Sequence, residues 1–533
     1  MSIRVRFAPS PTGQVHIGNI RAAIFNWLFA RHNGGTFLLR IEDTDLERST
    51  PEAIATLLDV MQWLGLNFDE EPMYQTTQVE KHLAAARKLL ADNNAYKDCK
   101  GGGGEAILFR IPWDAEKYPG VTVGDSQTLA IHPDLPLTVS GKGLSFACVS
   151  AKGTQAPGGG CLAGFRDLEA LDANGQVVFR LADHIDEVLN DGAEFTVPEA
   201  RSLKFTRRFI SYDDQVKGRM TKPLDSLRDF VIVRSDGSPV FHLANVVDDI
   251  TQGVTHIIRG DDHVENTFKH LFLFACLGEK PPIYGHLPMI VNAAGKPYSK
   301  RDGDAFVGDY RQNGFLPETL FNYLSLLGWS PGDDREKMSR EELVEAFTLE
   351  RCLRASSQMD LQKMTNLNGQ YIAALTLEDF IAAVRPFVQA CDWGHDLPEA
   401  MFRQVCAFMQ SRVKRLVDVS QWSYFFIDIP HYDEKACQKQ FKDENGRKAL
   451  RLLPPLLEKI DQFTASAIEQ AMLQATEQVG LKPGKLNQPA RVAITGTDIG
   501  AGIYETMELL GKDKVLARLR YADTELLDKF AQI

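Results

Sequence analysis

The sequence contains no run of about 18 consecutive apolar residues, which is the length that a membrane-spanning helix requires. Its first residues, MSIRVRFAPSPTG, lack the apolar stretch of a secretory signal peptide. We therefore expect a protein that has no membrane segment and acts in the cytoplasm.

Paired cysteines are also missing, because none of the eight cysteines falls in a CxC or CxxC pattern. In a reducing compartment we expect them to be free thiols. A zinc site requires clustered ligands, so the sequence predicts no zinc. The cysteines are Cys99, Cys148, Cys161, Cys276, Cys352, Cys391, Cys406 and Cys437.

The sequence also has no excess of positive charge, since the formal net charge is −12. This balance does not indicate a nucleic-acid-binding protein, but it does not exclude one, because phosphates need only a locally basic surface. Residues 478–497 carry basic residues and no acid, and a second basic group includes Arg403 and Arg412. Taken alone, both segments are more simply solvated faces.

The chain of 533 residues is too long for one compact core, so we expect two to four domains. Near the N-terminus a strand, a turn, a helix from His16 and a second strand over 36–41 follow one another. This order is typical of a parallel sheet of Rossmann type.

The pattern is interrupted between about Tyr96 and Leu227, where glycine-rich and short β-like stretches predominate. The alternation of strand and helix resumes from Asp229. After about Pro331 helical periodicity takes over, for example in LTLEDFIAAVRPFVQA and YETMELLGKDKVLARL. The sequence therefore predicts an α/β multidomain protein, with a split Rossmann unit followed by an all-α module.

Two short motifs carry residues suited to nucleotide chemistry. His16-Ile17-Gly18-Asn19 lies where the first strand turns into a helix, and a helix N-terminus is a natural phosphate site. The loop Ser299-Lys300-Arg301 has cationic side chains that can stabilise the charge of a leaving pyrophosphate. Each motif is weak alone, since a histidine at a helix start is more often a cap.

The two motifs together resemble the two signatures of class I aminoacyl-tRNA synthetases. The surrounding sequence is similar to one family, the bacterial-type glutamyl-tRNA synthetases. The similarity is carried by RFAPSPTGQVHIGNIRAAIFNWLFARHNGGTFLLRIEDTD, SDGSPVFHLANVVDDITQGVTHIIRGDDHVENT and GFLPETLFNYLSLLGW. It is strong over residues 1–96 and 210–370 and weaker toward the C-terminus.

The resemblance implies roles for individual residues. Arg6 and Arg259 would bind the carboxylates of glutamate, for which the planar guanidinium fork is suited. Ser10 and Glu42 would hold the α-amino group, and Asn245 would make a further polar contact. The residues that would bind ATP or take part in catalysis are His16, Gly18, Asn19, Ser299, Lys300 and Arg301.

The resemblance also implies a domain organisation. The Rossmann catalytic domain would comprise residues 1–96 and 228–330, split by an inserted α+β acceptor-stem-binding domain over 97–227. An extra insertion within it, around 115–210, does not align. A helical region that contacts the tRNA stem would follow at 331–380, and an all-helical anticodon-binding domain at 381–533.

The sequence departs from the family at two positions of the site. Pro297 and Tyr298 precede the Ser299-Lys300 loop where the family often has a lysine at the first position, and Lys296 is a candidate substitute. Phe241 replaces a tyrosine that contacts the substrate, at a loss of about 0.5–1.5 kcal/mol for one hydrogen bond. A similar-looking segment, Lys337-Met338-Ser339-Arg340, lies beyond the Rossmann unit and is not expected to be a signature.

By resemblance, the chain would be a monomeric enzyme that activates L-glutamate with ATP and Mg²⁺ and transfers it to tRNA(Glu) in preference to tRNA(Gln). Arg412 would read the first anticodon base, and Arg491 would make a second anticodon contact. Two alternatives stay open: an enzyme that also glutamylates tRNA(Gln), and a homologue that binds tRNA without catalysis. The bare sequence of SRVKR also fits a solvated helix charge at Arg412.

We predict that Lys300→Ala lowers the rate of adenylate formation on the order of tenfold or more, because a cation near the leaving pyrophosphate is lost. Pyrophosphate exchange measures this rate. Unchanged exchange kinetics would remove the Ser299-Lys300-Arg301 loop from the mechanism.

Overall fold

The computed structural model describes residues 2–45, 47–99, 104–132, 134–149, 155–299 and 305–531. The chain divides into two compact units. The first contains residues 1–309 and 320–360, and the second contains residues 310–319 and 361–533.

The strands, in chain order, are β1 (Arg4–Phe7), β2 (Thr36–Ile41), β3 (Met73–Tyr74), β4 (Ala95–Asp98), β5 (Ala106–Phe109), β6 (Val121–Ala130), β7 (Leu137–Ser140), β8 (Gly143–Val149), β9 (Gln155–Gly160), β10 (Glu169–Leu171), β11 (Val177–Arg180), β12 (Phe195–Val197), β13 (Ser202–Asp214), β14 (Gly218–Pro223), β15 (Phe230–Val233), β16 (His256–Gly260), β17 (Ile283–Leu287), β18 (Ile290–Val291) and β19 (Ser357–Gln358).

The α-helices are α1 (Ile17–His32), α2 (Pro51–Trp63), α3 (Val79–Ala91), α4 (Leu181–Asn190), α5 (Phe241–Thr251), α6 (Val264–Leu277), α7 (Val307–Gln312), α8 (Pro317–Leu326), α9 (Arg340–Ala346), α10 (Leu361–Ala374), α11 (Leu377–Gln389), α12 (Glu399–Met409), α13 (Ser423–Phe426), α14 (Glu434–Phe441), α15 (Glu444–Glu458), α16 (Ala465–Gln478), α17 (Asn487–Thr495), α18 (Ile503–Leu510) and α19 (Lys512–Tyr521).

A parallel sheet forms the centre of the first unit. Strand β1 pairs with β2, β2 pairs with β3, and β16 pairs with β17, all in parallel. The backbone N–H of Thr255, just before β16, donates to the carbonyl of Arg4 in β1 at 2.9 Å. The strand order β3-β2-β1-β16-β17 is that of a Rossmann fold, which confirms the predicted class.

The chain between α3 and α5 forms an α+β insertion. Its longest element is the antiparallel pair of β6 and β13, and a second sheet has the order β12-β7-β8-β9. Helix α4 and both sheets enclose an apolar core that includes Phe146, Phe165 and Phe205. The last residue of β13, Asp214, pairs in parallel with Tyr284 of β17, so the insertion continues into the edge of the Rossmann sheet.

Strand β15 lies where the sequence predicted a strand, but it pairs antiparallel with β5. The parallel alternation therefore resumes with α5 and β16 and not with β15. Sequence periodicity could not reveal that β15 pairs antiparallel, because buried parallel strands and buried antiparallel strands have similar apolar patterns.

The second unit is helical, as predicted. Helices α10 to α19 pack around one apolar cluster that runs from Leu316 to Phe530. The predicted helical stretch YETMELLGKDKVLARL is divided into α18 and α19 at Gly511, whose φ of +83° favours glycine. The proposed limits of the domains within the two units stay a prediction.

We predict that Phe205→Ala destabilises the insertion by about 3–5 kcal/mol, because the side chain is buried and its ring lies 4.6 Å from that of Phe165. Calorimetry and limited proteolysis should show earlier melting and cleavage between residues 104 and 214. Val123→Ala is the matched control, since Val123 is 57% exposed and should change stability little. Equal melting of both variants would contradict the assignment of this core.

Candidate active site

A cavity of about 530 Å³ opens where β1 and β16 meet, at the carboxyl ends of the parallel strands. This is the point at which the strand order reverses, and ligands of open α/β sheets bind at such points. Of the residues predicted from the sequence, the following line the cavity: Arg6, Ser10, His16, Gly18, Asn19, Glu42, Phe241, Asn245 and Arg259.

Arg6 lies in β1 and is buried beside the carboxylate of Asp249. Its Nε donates to Asp249 Oδ1 at 2.9 Å. Arg40 of β2 donates to the same oxygen through Nη1 at 2.5 Å. Asp249 thus compensates two guanidinium groups, and although burial opposes it, their proximity lowers the pKa of its carboxyl group. Neither Arg40 nor Asp249 was predicted from the sequence.

The adjacent Asp248 closes this buried cluster on its other side. Its carboxylate accepts from Gln75 Nε2 at 2.8 Å and lies 2.6 Å from His82 Nε2. The side chains of His82 and Asp248 are fully buried. An acidic pair on the buried face of α5, in the sequence NVVDD, was the signal available for these residues.

Glu42 follows β2 and faces the cavity with little exposure. Its Oε1 accepts from Asn245 Nδ2 at 2.9 Å and lies 3.5 Å from Arg40 Nη2. Burial raises the pKa of Glu42 in spite of the nearby Arg40 and Arg6. The other amide atom of Asn245, Oδ1, is buried and has no hydrogen-bond partner among the described residues. A cationic group in the cavity would satisfy both acceptors.

Arg259 lies at the other side of the cavity, at the end of β16. Its Nε donates to His286 Nε2 at 3.2 Å, and its Nη2 donates to Thr267 Oγ1 at 2.8 Å. Within the described part of the chain no carboxylate forms an ion pair with Arg259. Burial lowers its pKa, so a carboxylate ligand would find a largely desolvated cation with neutral partners.

Phe241, at the position where the resemblance implies a tyrosine, packs among imidazole rings. Its ring is stacked on that of His263 with centroids 5.5 Å apart, and it also contacts His242 and His270. Burial lowers the pKa of His242 to about 4 and that of His270 well below its usual value. These rings are therefore neutral at neutral pH and give this wall no charge of its own.

His16 caps helix α1, as one of the two interpretations of the sequence predicted. Its Nδ1 accepts from the backbone N–H of Gly18 at 3.1 Å, and the ring lies 6.2 Å from that of Phe306. A Cβ on Gly18 would meet nothing but the His16 ring within 4 Å. The first turn of α1 is thus open toward the cavity.

Lys300 and Arg301 lie outside the described residues, but both flanks of their loop are fixed. Before the loop, Pro297 forms a bridge with Val291, and Pro297 and Tyr298 line the cavity. After it, the N–H of Ile17 donates to Ala305 and that of Val307 donates to Val15, each at 3.0 Å. Ser299 is exposed, and Lys296 lies in an exposed turn.

Arg21 also lines the cavity, although it was not predicted from the sequence. Its side chain is 4% exposed and donates to the carbonyls of Leu327, at 3.1 Å, and Pro288. Burial lowers its pKa to about 10. Arg21 thus joins α1, which begins with the His16 motif, to the segment that leads into the Ser299 loop.

The segment 337–340 is structural. Ser339 caps α9 in a capping box with Glu342, and the Arg340 guanidinium lies 4.2 Å from the centre of the Phe321 ring. Arg340 also donates to the carbonyl of Leu64 at 2.8 Å. These contacts agree with the expectation that the segment is no second signature.

In the second unit, Arg412 is exposed after α12, and its Nη1 donates to the carbonyl of Phe408 at 2.7 Å. Arg491 is 8% exposed and donates to the carbonyl of Ala501. Arg412 is accessible to a ligand, whereas Arg491 holds the turn at 500–502. Their contacts with an anticodon stay a prediction.

Comparison with known protein families identifies the group to which this site belongs. The catalytic-domain model of the class I tRNA synthetases (E and Q) matches residues 2–102 and 187–366, and an anticodon-binding-domain model matches residues 379–523. The chain belongs to the class I tRNA synthetases of the E and Q group. Residues 103–186, which include most of the insertion, lie outside both matches.

Among relatives of this class I synthetase, glutamate–tRNA ligase 2 of Rhodospirillum rubrum is 37% identical over 98% of the chain and 100% of its own length. Glutamate–tRNA ligase 2 of Thermoanaerobacter pseudethanolicus is 33% identical over 98% of both. A crystal structure of a glutamate tRNA ligase from Elizabethkingia meningosepticum, in complex with its amino acid, matches 99% of the chain with a TM-score of 0.70 and 25% identity. The family resemblance seen in the sequence is confirmed.

We predict that Glu42→Gln stabilises the protein while weakening glutamate binding. Because the folded-state pKa of Glu42 is raised, its contribution to stability is present below the unfolded pKa of about 4.3 and is lost as the pH rises through the folded pKa. At pH 8 the melting temperature of the variant should exceed that of the wild type, by about 2–4 °C for each kcal/mol of desolvation free energy that is removed. This difference in melting temperature should disappear toward pH 4.5.

Glu70→Gln is the matched control for this measurement. The exposed Glu70 pairs with Arg4 at 2.7 Å, and this pairing lowers its pKa. Neutralising Glu70 should therefore lower the melting temperature at pH 8 slightly, which is opposite to the change expected for Glu42→Gln. A Glu42→Gln variant that melts below the wild type at pH 8 would show that Arg40 and Arg6 stabilise the ionised carboxylate more than burial penalises it.

Proposed function

We propose that this chain is a glutamate–tRNA ligase, which activates L-glutamate with ATP and transfers it to the 3′-terminal adenosine of tRNA(Glu) in the cytoplasm. One observation carries the choice of an amino acid substrate. Arg259, buried without a carboxylate partner among the described residues, faces the same cavity as Glu42 and the unsatisfied Oδ1 of Asn245. The cationic Arg259 complements a carboxylate of the substrate, and the anionic Glu42 complements an ammonium group of the same substrate.

Each of these residues binds one part of the substrate. Arg259 and Arg6 bind the two carboxylates of glutamate, and Glu42, Asn245 and Ser10 bind its ammonium group. Arg6 uses Nε and Nη2 for Asp249, so its Nη1 remains for the ligand. Phe241 contributes an apolar contact in place of a hydroxyl.

ATP occupies the side of the cavity formed by the first turn of α1 and the loop after Pro297. His16, Gly18 and Asn19 face the phosphates from the helix N-terminus, and Ser299, Lys300 and Arg301 are assigned to phosphate binding as well. The α-carboxylate of glutamate attacks the α-phosphate, and pyrophosphate leaves. A ribose hydroxyl of the terminal adenosine then attacks the adenylate carbonyl and AMP leaves, so neither step needs a protein nucleophile.

In both steps the residues of the chain position the substrates and stabilise charge. Across the described ranges, no group of three or more His, Cys, Asp or Glu side chains is arranged to hold a metal ion. Mg²⁺ would arrive with the triphosphate and keep much of its water, as it does at many phosphate sites. That the protein needs no zinc and acts as a monomer stays a prediction.

The remaining regions bind tRNA. The insertion over 97–227 contacts the acceptor stem, residues 331–380 contact the adjoining stem, and the helices of 381–533 bind the anticodon loop. The exposed Arg412 reads the first anticodon base and gives preference for tRNA(Glu) over tRNA(Gln). Arg491 supports this surface by fixing the turn at 500–502.

We predict glutamate-dependent pyrophosphate exchange with ATP and tRNA, and faster charging of tRNA(Glu) than of tRNA(Gln) transcripts. Arg412→Ala should lower kcat/KM for tRNA(Glu) by about tenfold, because one contact to a base edge is lost. Arg403→Ala is the control, since the exposed Arg403 pairs with Glu378 and should have little effect.

The outcomes separate the alternatives. Equal charging of both transcripts would identify an enzyme that does not discriminate between them. Absence of exchange with and without tRNA would identify a tRNA-binding homologue without catalysis. Equal losses in both arginine variants would indicate general electrostatic binding and remove Arg412 from anticodon recognition.

A further inference from the structure

The guanidinium of Arg259 is held from behind by neutral groups. Its Nε donates to His286 Nε2 at 3.2 Å, and its Nη2 donates to Thr267 Oγ1 at 2.8 Å and to the carbonyl of His263 at 3.3 Å. Among the described residues, Nη1 forms no hydrogen bond. Because Arg259 lines the cavity, Nη1 is the donor that remains for a ligand.

The imidazole of His286 can accept from Arg259 in one of its two neutral tautomers. Nε2 must be unprotonated, so the proton must be on Nδ1. His286 Nδ1 lies 2.6 Å from Asp214 Oδ2, and both side chains are fully buried. An ionised carboxylate only accepts hydrogen bonds, so Asp214 selects the tautomer that Arg259 requires.

Asp214 is itself fixed by the backbone. Its Oδ1 accepts from the N–H groups of Val216 at 2.9 Å, Lys217 at 2.8 Å and His286 at 3.1 Å. Burial lowers the pKa of His286, and the hydrogen bond with His286 lowers that of Asp214 against the effect of burial. A neutral ring beside an ionised carboxylate agrees with the geometry.

We propose that Asp214 and His286 are positioning residues, which act as a relay that orients Arg259 so that Nη1 points at a substrate carboxylate. The relay rests on the proposed function, since it assumes that the cavity binds glutamate. Neither Asp214 nor His286 is among the residues that line the cavity, so the relay acts through Arg259.

Two substitutions of His286 test the acceptor directly. The amide of His286→Gln reaches the place of Nε2 and can present its oxygen to Arg259. The amide of His286→Asn reaches only the place of Nδ1, so it keeps the bond to Asp214 and leaves Arg259 Nε unpaired. We expect His286→Asn to raise the KM for glutamate about tenfold or more, with smaller changes in the KM for ATP and in kcat. The KM for glutamate of His286→Gln should stay within about threefold of the wild type.

Asp214→Asn tests the choice of tautomer. Asparagine keeps Oδ1 for the three backbone donors but directs an N–H at His286 Nδ1, which forces the proton onto Nε2 against Arg259. The KM for glutamate should rise about tenfold in the wild-type background. In the His286→Gln background the same change should have little further effect, because no imidazole tautomer remains to be selected.

The ¹⁵N shifts of His286 provide a readout that does not depend on activity. Selectively labelled wild-type protein should show a protonated Nδ1 and an unprotonated Nε2, and Asp214→Asn should reverse this. Melting temperatures within a few degrees of the wild type identify the variants whose kinetics can be compared. If His286→Asn does not fold, the Asp214→Asn variant and the ¹⁵N shifts decide.

Four results would overturn the relay: a protonated Nε2 in the wild type, an unchanged KM for glutamate in His286→Asn, equal impairment of the asparagine and glutamine variants, or a parallel loss for both substrates. Failure of the proposed function would look different. The wild type itself would then neither bind glutamate nor support exchange, while the ¹⁵N shifts would still report whether His286 has the tautomer that Arg259 requires.

Discussion

The carboxylate of Asp249 lies between the guanidinium groups of Arg6 and Arg40, in a place that water does not reach. The two arginines come from the adjacent parallel strands β1 and β2 and would repel each other there without a counter-charge. Asp249 comes from α5, on the far side of the insertion in the sequence. The ion cluster therefore joins the two halves of the Rossmann unit, and the cavity has its shape only when they are joined.

The same cluster sets the electrostatics of the cavity. Arg6 and Arg40 are compensated by Asp249, with Glu42 and Asp248 nearby, whereas Arg259 has neutral partners among the described residues. The side of the cavity that contains Glu42 and Asn245 therefore presents hydrogen-bond acceptors, and the side that contains Arg259 presents a buried cation. The fixed charges are in place before a ligand arrives, so little reorganisation is needed when it binds.

The insertion also supports the cavity, because its strand β13 leads to a residue that holds Arg259 in place. Strand β13 begins among the apolar residues of the insertion core and ends at Asp214, beside the edge strand β17. Asp214 in turn contacts His286, which contacts Arg259. The insertion thus leads directly to the residue that stands behind Arg259, which lines the cavity.

The sequence by itself determined the elements with strong local signals: the strands at Arg4–Phe7 and Thr36–Ile41, the helix after His16, and the helical second unit. It also identified the cavity residues that belong to recognisable motifs, because such motifs fall where strands end. It could not determine that Phe230–Val233 pairs antiparallel, or that Gly511 divides a helical stretch.

Only the tertiary structure decided which charges compensate one another. Arg40 and Asp249 are 209 positions apart, and Asp214 and His286 are 72 apart, so no periodicity relates them. Their pairing follows from the strand order and from the docking of α5 on the sheet. Local patterns specify which residues are buried, but the free energy of a buried charge depends on what the fold brings beside it.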